Sequence, residues 1–223
     1  MQKTTNQKTM ISFPDGNATV HGVGGVQLRL FLAFTPLLMF ACLLFSPIAK
    51  SETKLTAEDL VRYLKLDGHV EGGFFRRTYA SDYRLLTAQG DERLSLTSIF
   101  YLLAAQSPVG HFHLNRSDIV HYFHLGDPIT YYLLHPDGDL ETVVMGHDVR
   151  QGHVLQMTVS GGVWKASQIP SNGEHGYGLI SEAVSPGFEY ADMTLGYRQQ
   201  MLELFPQHED LVTRLSHAMP EAP

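Results

Sequence analysis

Residues 110–126 read GHFHLNRSDIVHYFHLG, and this stretch decides the fold. It gathers His111, His113, His121 and Asp118 within about a dozen residues of β-type sequence, closed by Gly126. Side chains at i and i+2 of a strand project from one face, so His111 and His113 are expected side by side. Two neighbouring imidazoles on a sheet suit either a metal ion or a polar ligand pocket.

Working outward, the chain alternates short apolar runs with turn residues. Strands are expected at 74–79, 94–103, 119–123, 129–135, 140–145, 155–159, 163–168, 177–184 and 193–196. Gly126-Asp127-Pro128, Pro136-Asp137-Gly138-Asp139 and Ser171-Asn172-Gly173 punctuate them. Ahead of the strands, Thr56-Ala57-Glu58-Asp59 resembles a capping box with Asp in place of the usual Glu, opening a helix to about Lys65. Residues 198–205 and 209–217 read as helical, broken at Pro206. Many short strands at this spacing favour a closed barrel or a sandwich.

Composition bounds the function. The 223 residues are 43% hydrophobic and 17% charged, enough for one buried core. A net charge of −7, with no cluster of Lys and Arg, excludes a nucleic-acid footprint. Residues 1–49 stand apart: a polar leader with Lys3, Lys8 and Arg29 precedes an uncharged apolar run over 30–49. This predicts an export signal or an N-terminal membrane anchor, followed by a single domain over 50–223. The expected location is therefore periplasmic or secreted, alternatively membrane-anchored through residues 30–49. The lone Cys42 lies inside the apolar run, so no intramolecular disulfide is possible, and its surroundings match a lipoprotein acylation box only loosely. After residue 50 there is no Gly-rich phosphate loop, serine nucleophile elbow or cysteine, which removes kinases, common hydrolases and thiol enzymes.

Four ordered segments carry a family resemblance: EGGFFRRTY at 71–79, residues 113–128, QMTVSGGVW at 156–164 and SPGFEYAD at 185–192. Together they resemble the cupin-5 family (domain of unknown function 985) of the RmlC-like cupin superfamily, from about Leu55 to Leu204. The resemblance implies an all-β fold, a double-stranded β-helix or cupin jelly-roll barrel with short N-terminal and C-terminal helices, assembled as a homodimer. It implies no settled reaction.

Cupins hold a metal through G-x5-H-x-H-x(3,4)-E-x6-G and a second motif, G-x5-P-x-G-x2-H-x3-N. Here His111 and His113 supply the H-x-H, but counting back from Gly126 puts Ile119 at the glutamate position. Asp118 fits the spacing from His113 yet falls one residue off, which in a strand reverses the face. In the second motif Ser160 stands for the proline and Lys165 for the histidine. If Ile119 points inward, so do His121 and Phe123. Two expectations stay open: a zinc, iron or copper site of His111, His113 and His121 with Asp118 or Glu71, or a metal-free pocket lined by imidazoles and aromatics.

Further pocket candidates are Glu71, as acid or base or as partner of Arg76 or Arg77, and Gln156 and Trp164, which could bond to and stack on a ligand. For the sole tryptophan core packing is the expected role, and ligand stacking the alternative. The remaining histidines, at 124, 135, 147, 153, 175, 208 and 217, read as solvated or locally bonded. Two functions follow. One is an enzyme of epimerase or isomerase type acting on a carbohydrate-like small molecule, with His113 and Glu71 as catalytic groups. The other is a small-ligand binding or sensing protein of the cell envelope.

Overall fold

The computed structural model describes residues 54–218. The export signal or anchor expected over residues 1–49 lies outside the described residues. Among those described, no helix is long and apolar enough to cross a membrane. Helix α1 (Ala57–Leu64) opens as expected: the Thr56 hydroxyl accepts from the Asp59 N–H, and the Asp59 carboxylate accepts from the Thr56 N–H. It is followed by β1 (Asp67–Gly68), β2 (Phe74–Ala80), β3 (Arg84–Leu86), β4 (Glu92–Leu94), β5 (Thr97–Ala104), β6 (Val109–Asn115) and β7 (Asp118–Gly126). Then come β8 (Ile129–Leu134), β9 (Leu140–Met145), β10 (Gln156–Val159), β11 (Trp164–Gln168), β12 (Tyr177–Ser185) and β13 (Met193–Leu195), before α2 (Arg198–Leu204) and α3 (Glu209–Leu215).

Two antiparallel sheets form the barrel. The first has the order β1-β2-β5-β12-β7-β10 and the second β13-β6-β11-β8-β9, while β3 and β4 pair as a separate hairpin. Apart from β1–β2 and β8–β9, neighbours in each sheet are not consecutive in sequence, the signature of a jelly roll rather than a meander. Each expected strand forms, with its ends shifted by a few residues. The β3–β4 hairpin and the two-residue β1 were not anticipated, because neither shows a run of alternating apolar residues.

Three apolar clusters follow from this layering. The barrel interior is filled at one end by Tyr101, Leu103, Phe123, Ile129, Tyr131, Met145, Ile169 and Ile180. On the outer face of the first sheet, Leu102, Ala104 and Leu179 are covered by Ala57 and Leu60 of α1. On the outer face of the second, Phe112, Leu134, Trp164 and Ala166 are covered by Met201, Phe205, Leu211, Val212 and Leu215. Trp164 therefore packs beneath the C-terminal helices and does not reach a ligand pocket. Its neighbour Lys165 takes the inward position, because adjacent residues of a strand face opposite ways.

A salt link ties down the β3–β4 hairpin. The Arg93 guanidinium grips both oxygens of Asp192, and Arg116 adds a bond of 3.0 Å to the same carboxylate. This fork fixes the 190–192 turn, which carries Tyr190 to the rim of the cavity described below.

Truncating a buried tryptophan removes a large apolar area and leaves a cavity. Trp164→Ala is expected to lower the unfolding free energy by about 3–5 kcal/mol in a urea titration. A change under about 1 kcal/mol would mean that Trp164 does not knit the helices to the barrel.

Candidate functional site

A cavity of about 470 Å³ opens at the end of the barrel opposite the apolar plug. Its walls are Phe75, Ile99, Ile119, Val184, Phe188 and Tyr190, its depth holds Glu71, His113, Asn115 and Glu182, and Arg76, Arg77, Asp67 and Glu189 surround its mouth. The volume matches that of pockets for small molecules.

One irregularity in β6 builds it. Lys165 of β11 pairs with His113, but Ser167 pairs with Gly110, so β6 carries one more residue than its partner across this step. Such a bulge breaks the two-residue alternation. His113 points into the barrel. A Cβ on Gly110 would come within 2.5 Å of the Ser167 hydroxyl and 2.6 Å of the Tyr101 hydroxyl, so that position also faces inward. Phe112 and His111 face out. His111 donates from Nδ1 to the carbonyl of Leu215 at 3.2 Å, and its ring lies against that of His217 at 4.5 Å. The pairing of His111 with His113 expected from simple alternation is thus overturned, and with it the role of His111 as a metal ligand.

The bulge also holds the acid. The His111 N–H donates to the Glu71 carbonyl at 2.6 Å, docking the 69–73 loop on β6. Gly72 sits there at φ 97°, where an added Cβ would strike the Val109 carbonyl at 2.2 Å, so only glycine permits the approach. The Glu71 carboxylate then faces the His113 Nε2 at 3.3 Å and the His69 Nδ1 at 3.5 Å. His113 is locked from behind, its Nδ1–H donating to the His111 carbonyl at 2.8 Å. That bond fixes the tautomer and leaves a lone pair on Nε2.

A second group lies beneath and beside the first. Glu182 and His121 are cross-strand partners on β12 and β7, and His113 and Lys165 are partners on β6 and β11. Lys165 reaches from one sheet to the other, its ammonium 2.9 Å from the His121 Nε2 and 3.4 Å from Glu182 Oε1. His121 Nε2 and Glu182 Oε1 are 3.1 Å apart. Lys165 is 3% exposed and His121 fully buried.

Burial and charge set the protonation states. Burial pushes His113 down, and although the Glu71 carboxylate opposes this, the imidazole falls to about 4. Burial pushes Glu71 up, but His113, His69 and Lys165 together hold it below its ordinary value. Glu182 is raised by burial and pulled down further by Lys165 and His121, ending well below the usual carboxylate range. Burial and the Lys165 ammonium both depress His121. Near neutral pH the site therefore holds two carboxylates and neutral imidazoles at His113 and His121.

Other candidates fall away from the cavity. Asp118 is exposed, on the face opposite Ile119, and accepts from the Gly161 N–H at 2.8 Å, a bond that ties down the β10–β11 turn. Gln156 is exposed opposite Tyr122 on the outer face. Phe123 faces inward but belongs to the apolar plug. His121 lies behind the wall, bonded to Lys165.

A divalent cation does not fit this donor set. The Lys165 ammonium occupies the place between His121 and Glu182, where a second positive charge is repelled, and His111 and Asp118 lie on the outside. Among the described residues no three His, Cys, Asp or Glu side chains converge in metal-binding geometry. The structure does not bring the expected metal set His111, His113, His121 and Asp118 together, because His111 and Asp118 face out of the barrel. Sequence reasoning missed Glu182, Asn115 and the inward Lys165. Glu182 had a signal: it stands between Ile180 and Val184 at strand spacing, a carboxylate on an apolar face.

The family model described as Cupin superfamily (DUF985), Cupin_5, matches residues 58–196. An uncharacterised protein of Saccharomyces cerevisiae, YML079W, is 35% identical over 161 residues, covering 67% of this chain and 80% of that protein. Among solved structures, a hypothetical protein from Leishmania major is 32% identical with a TM-score of 0.70, covering 73% of this chain and 99% of its own. Protein SO0799 from Shewanella oneidensis is 34% identical with a TM-score of 0.66, covering 73% and 98%. Sequence match and barrel agree, and the chain belongs to the Cupin_5 family of the cupin superfamily.

Proposed function

We propose that the barrel houses a metal-independent acid–base site acting on a small carbohydrate-like molecule, in epimerase- or isomerase-type chemistry. The observation that carries this reading is the Glu71–His113 contact in the depth of an aromatic-walled cavity. His113 Nε2 bears a lone pair and takes a proton from the substrate. Glu71, ionised beside it, stabilises the imidazolium so formed and can share the proton before its return. Burial of the pair strengthens this attraction. The apolar segment at residues 30–49 supports placing this activity outside the cytosol.

A second reading, binding without turnover, is favoured by one observation. A histidine held at about 4 is a weak base near neutral pH, below the optimum for proton transfer there.

Proton abstraction next to a carbonyl leaves a label. Protein incubated in D2O with a panel of reducing sugars is expected to exchange a carbon-bound proton of the accepted sugar, read by NMR. His113→Gln and Glu71→Gln should each slow this by a factor of about 10² or more. A bound sugar that never exchanges would favour the binding reading.

The imidazole itself can be followed without substrate. The Cε1 proton of His113 should titrate near 4. In Glu71→Gln its midpoint should move lower, because the carboxylate that favours the imidazolium is gone. A midpoint near 6.5 in the wild type would remove the buried, neutral His113 on which the proposal rests. Stability follows the same sign. The unfolded chain takes the His113 proton near 6.5 and the folded one only near 4, so the unfolded state binds more protons in between. His113 is expected to withdraw about 3 kcal/mol as pH falls across that window, and His113→Gln should flatten the decline in urea midpoint.

A further inference from the structure

Resting on the acid–base reading above, we infer that the ligand is rich in hydrogen-bond donors and carries no negative charge: a neutral sugar or an amino sugar rather than a sugar acid. The inference comes from counting donors and acceptors in the depth of the cavity.

Two acceptor atoms there, His113 Nε2 and Asn115 Oδ1, await a donor, and the Glu71 carboxylate beside them has His69 Nδ1 at 3.5 Å as its neighbour. His113 Nε2 has its lone pair directed at Glu71, since the ring proton is held on Nδ1 by the His111 carbonyl. Glu71 Oε2 faces that lone pair at 3.3 Å, so two acceptors oppose one another with no proton between them. Asn115 lines the same cavity, is 7% exposed, and its Oδ1 has no hydrogen-bond partner among the described residues. Buried acceptors in this condition cost free energy until a donor arrives.

In the depth, the one cationic donor is turned away from these acceptors. The Lys165 ammonium donates to His121 and Glu182. At the mouth, away from these acceptors, Arg76 gives one of its five N–H groups to the Leu64 carbonyl and Arg77 one to the Phe188 carbonyl at 3.3 Å. A hydroxyl alongside the pair donates its one proton to His113 Nε2, and a second, vicinal hydroxyl can donate to Glu71. A neighbouring hydroxyl or amine can then serve Asn115. This is the pattern of vicinal donors on a sugar ring, and Phe75, Phe188 and Tyr190 offer apolar faces to its C–H surface.

Charge points the same way. In the depth, two carboxylates, Glu71 and Glu182, stand against the single ammonium of Lys165, with His113 neutral. An ammonium is attracted to that excess and a carboxylate is repelled. At the mouth, Asp67 and Glu189 accompany Arg76 and Arg77, so no uncompensated positive field draws an anion in.

The test uses matched sets on two ring configurations: D-glucose, D-glucosamine and D-glucuronate, with the three galacto counterparts. Binding to the wild-type protein is measured at pH 7 by saturation-transfer NMR and calorimetry. The expected order in at least one configuration is amino sugar and neutral sugar ahead of the uronate by tenfold or more. Asn115→Leu should weaken the preferred sugar by tenfold or more. A uronate that binds as well as or better than its neutral partner in both configurations overturns the inference, as does the absence of binding by all six. The His113 titration is read on the same samples. A midpoint near 4 together with uronate preference would sink only the ligand class, whereas a midpoint near 6.5 would sink the acid–base reading beneath it.

Discussion

One extra residue in β6 governs the whole site. A regular strand would set His111 beside His113 and send Gly110 and Phe112 to the opposite face. The bulge instead turns Gly110 and His113 inward and leaves Phe112 and His111 outside. Phe112 faces the C-terminal helices with or without the offset, whereas His111 does so only because of it, and the His111 N–H clasps the loop that bears Glu71.

The ammonium of Lys165 is the second organising element. Removing it and the carboxylate of Glu182 from water costs several kcal/mol per ion, repaid only when geometry brings them together with further partners. Here the partners come from both sheets. Lys165 belongs to β11, Glu182 and His121 to β12 and β7, so the ion pair bridges the barrel across its interior. A cation fixed covalently in this way keeps Glu182 ionised and opposes a metal ion, while leaving Glu71 and His113 facing the cavity. The same barrel architecture is thus compatible with a chemistry based on protons.

Much of this was legible in the residues. Strand positions, the capping box at Thr56 and Asp59, and the inward set Ile119, His121 and Phe123 follow from periodicity and counting. The outward turn of Asp118 follows from the same count. What escaped was whatever depends on register. The i and i+2 rule assumes an unbroken ladder, and nothing in Gly110-His111-Phe112-His113 announces a bulge, so His111 was placed on the wrong face. Lys165 stood at a position read as a missing ligand. Its role becomes visible only when β11 is laid against β6, where it pairs with His113. Gln156 is a candidate by proximity to a motif, and strand alternation carries it to the outer surface, whereas Trp164 takes the core role expected of it, beneath the C-terminal helices.

The contact between His111 and the last turn of α3 has a temporal consequence. His111 Nδ1 bonds Leu215, its ring meets His217, and its N–H holds Glu71. Segments some 140 residues apart, at 71 and 215, thus converge on one position of β6. During synthesis the barrel strands leave the ribosome before the helix that backs the bulge. The bond from the His111 ring to Leu215 is therefore closed after the contacts that His111 makes with the loop of Glu71, and the α3 end of this convergence is the last to be made.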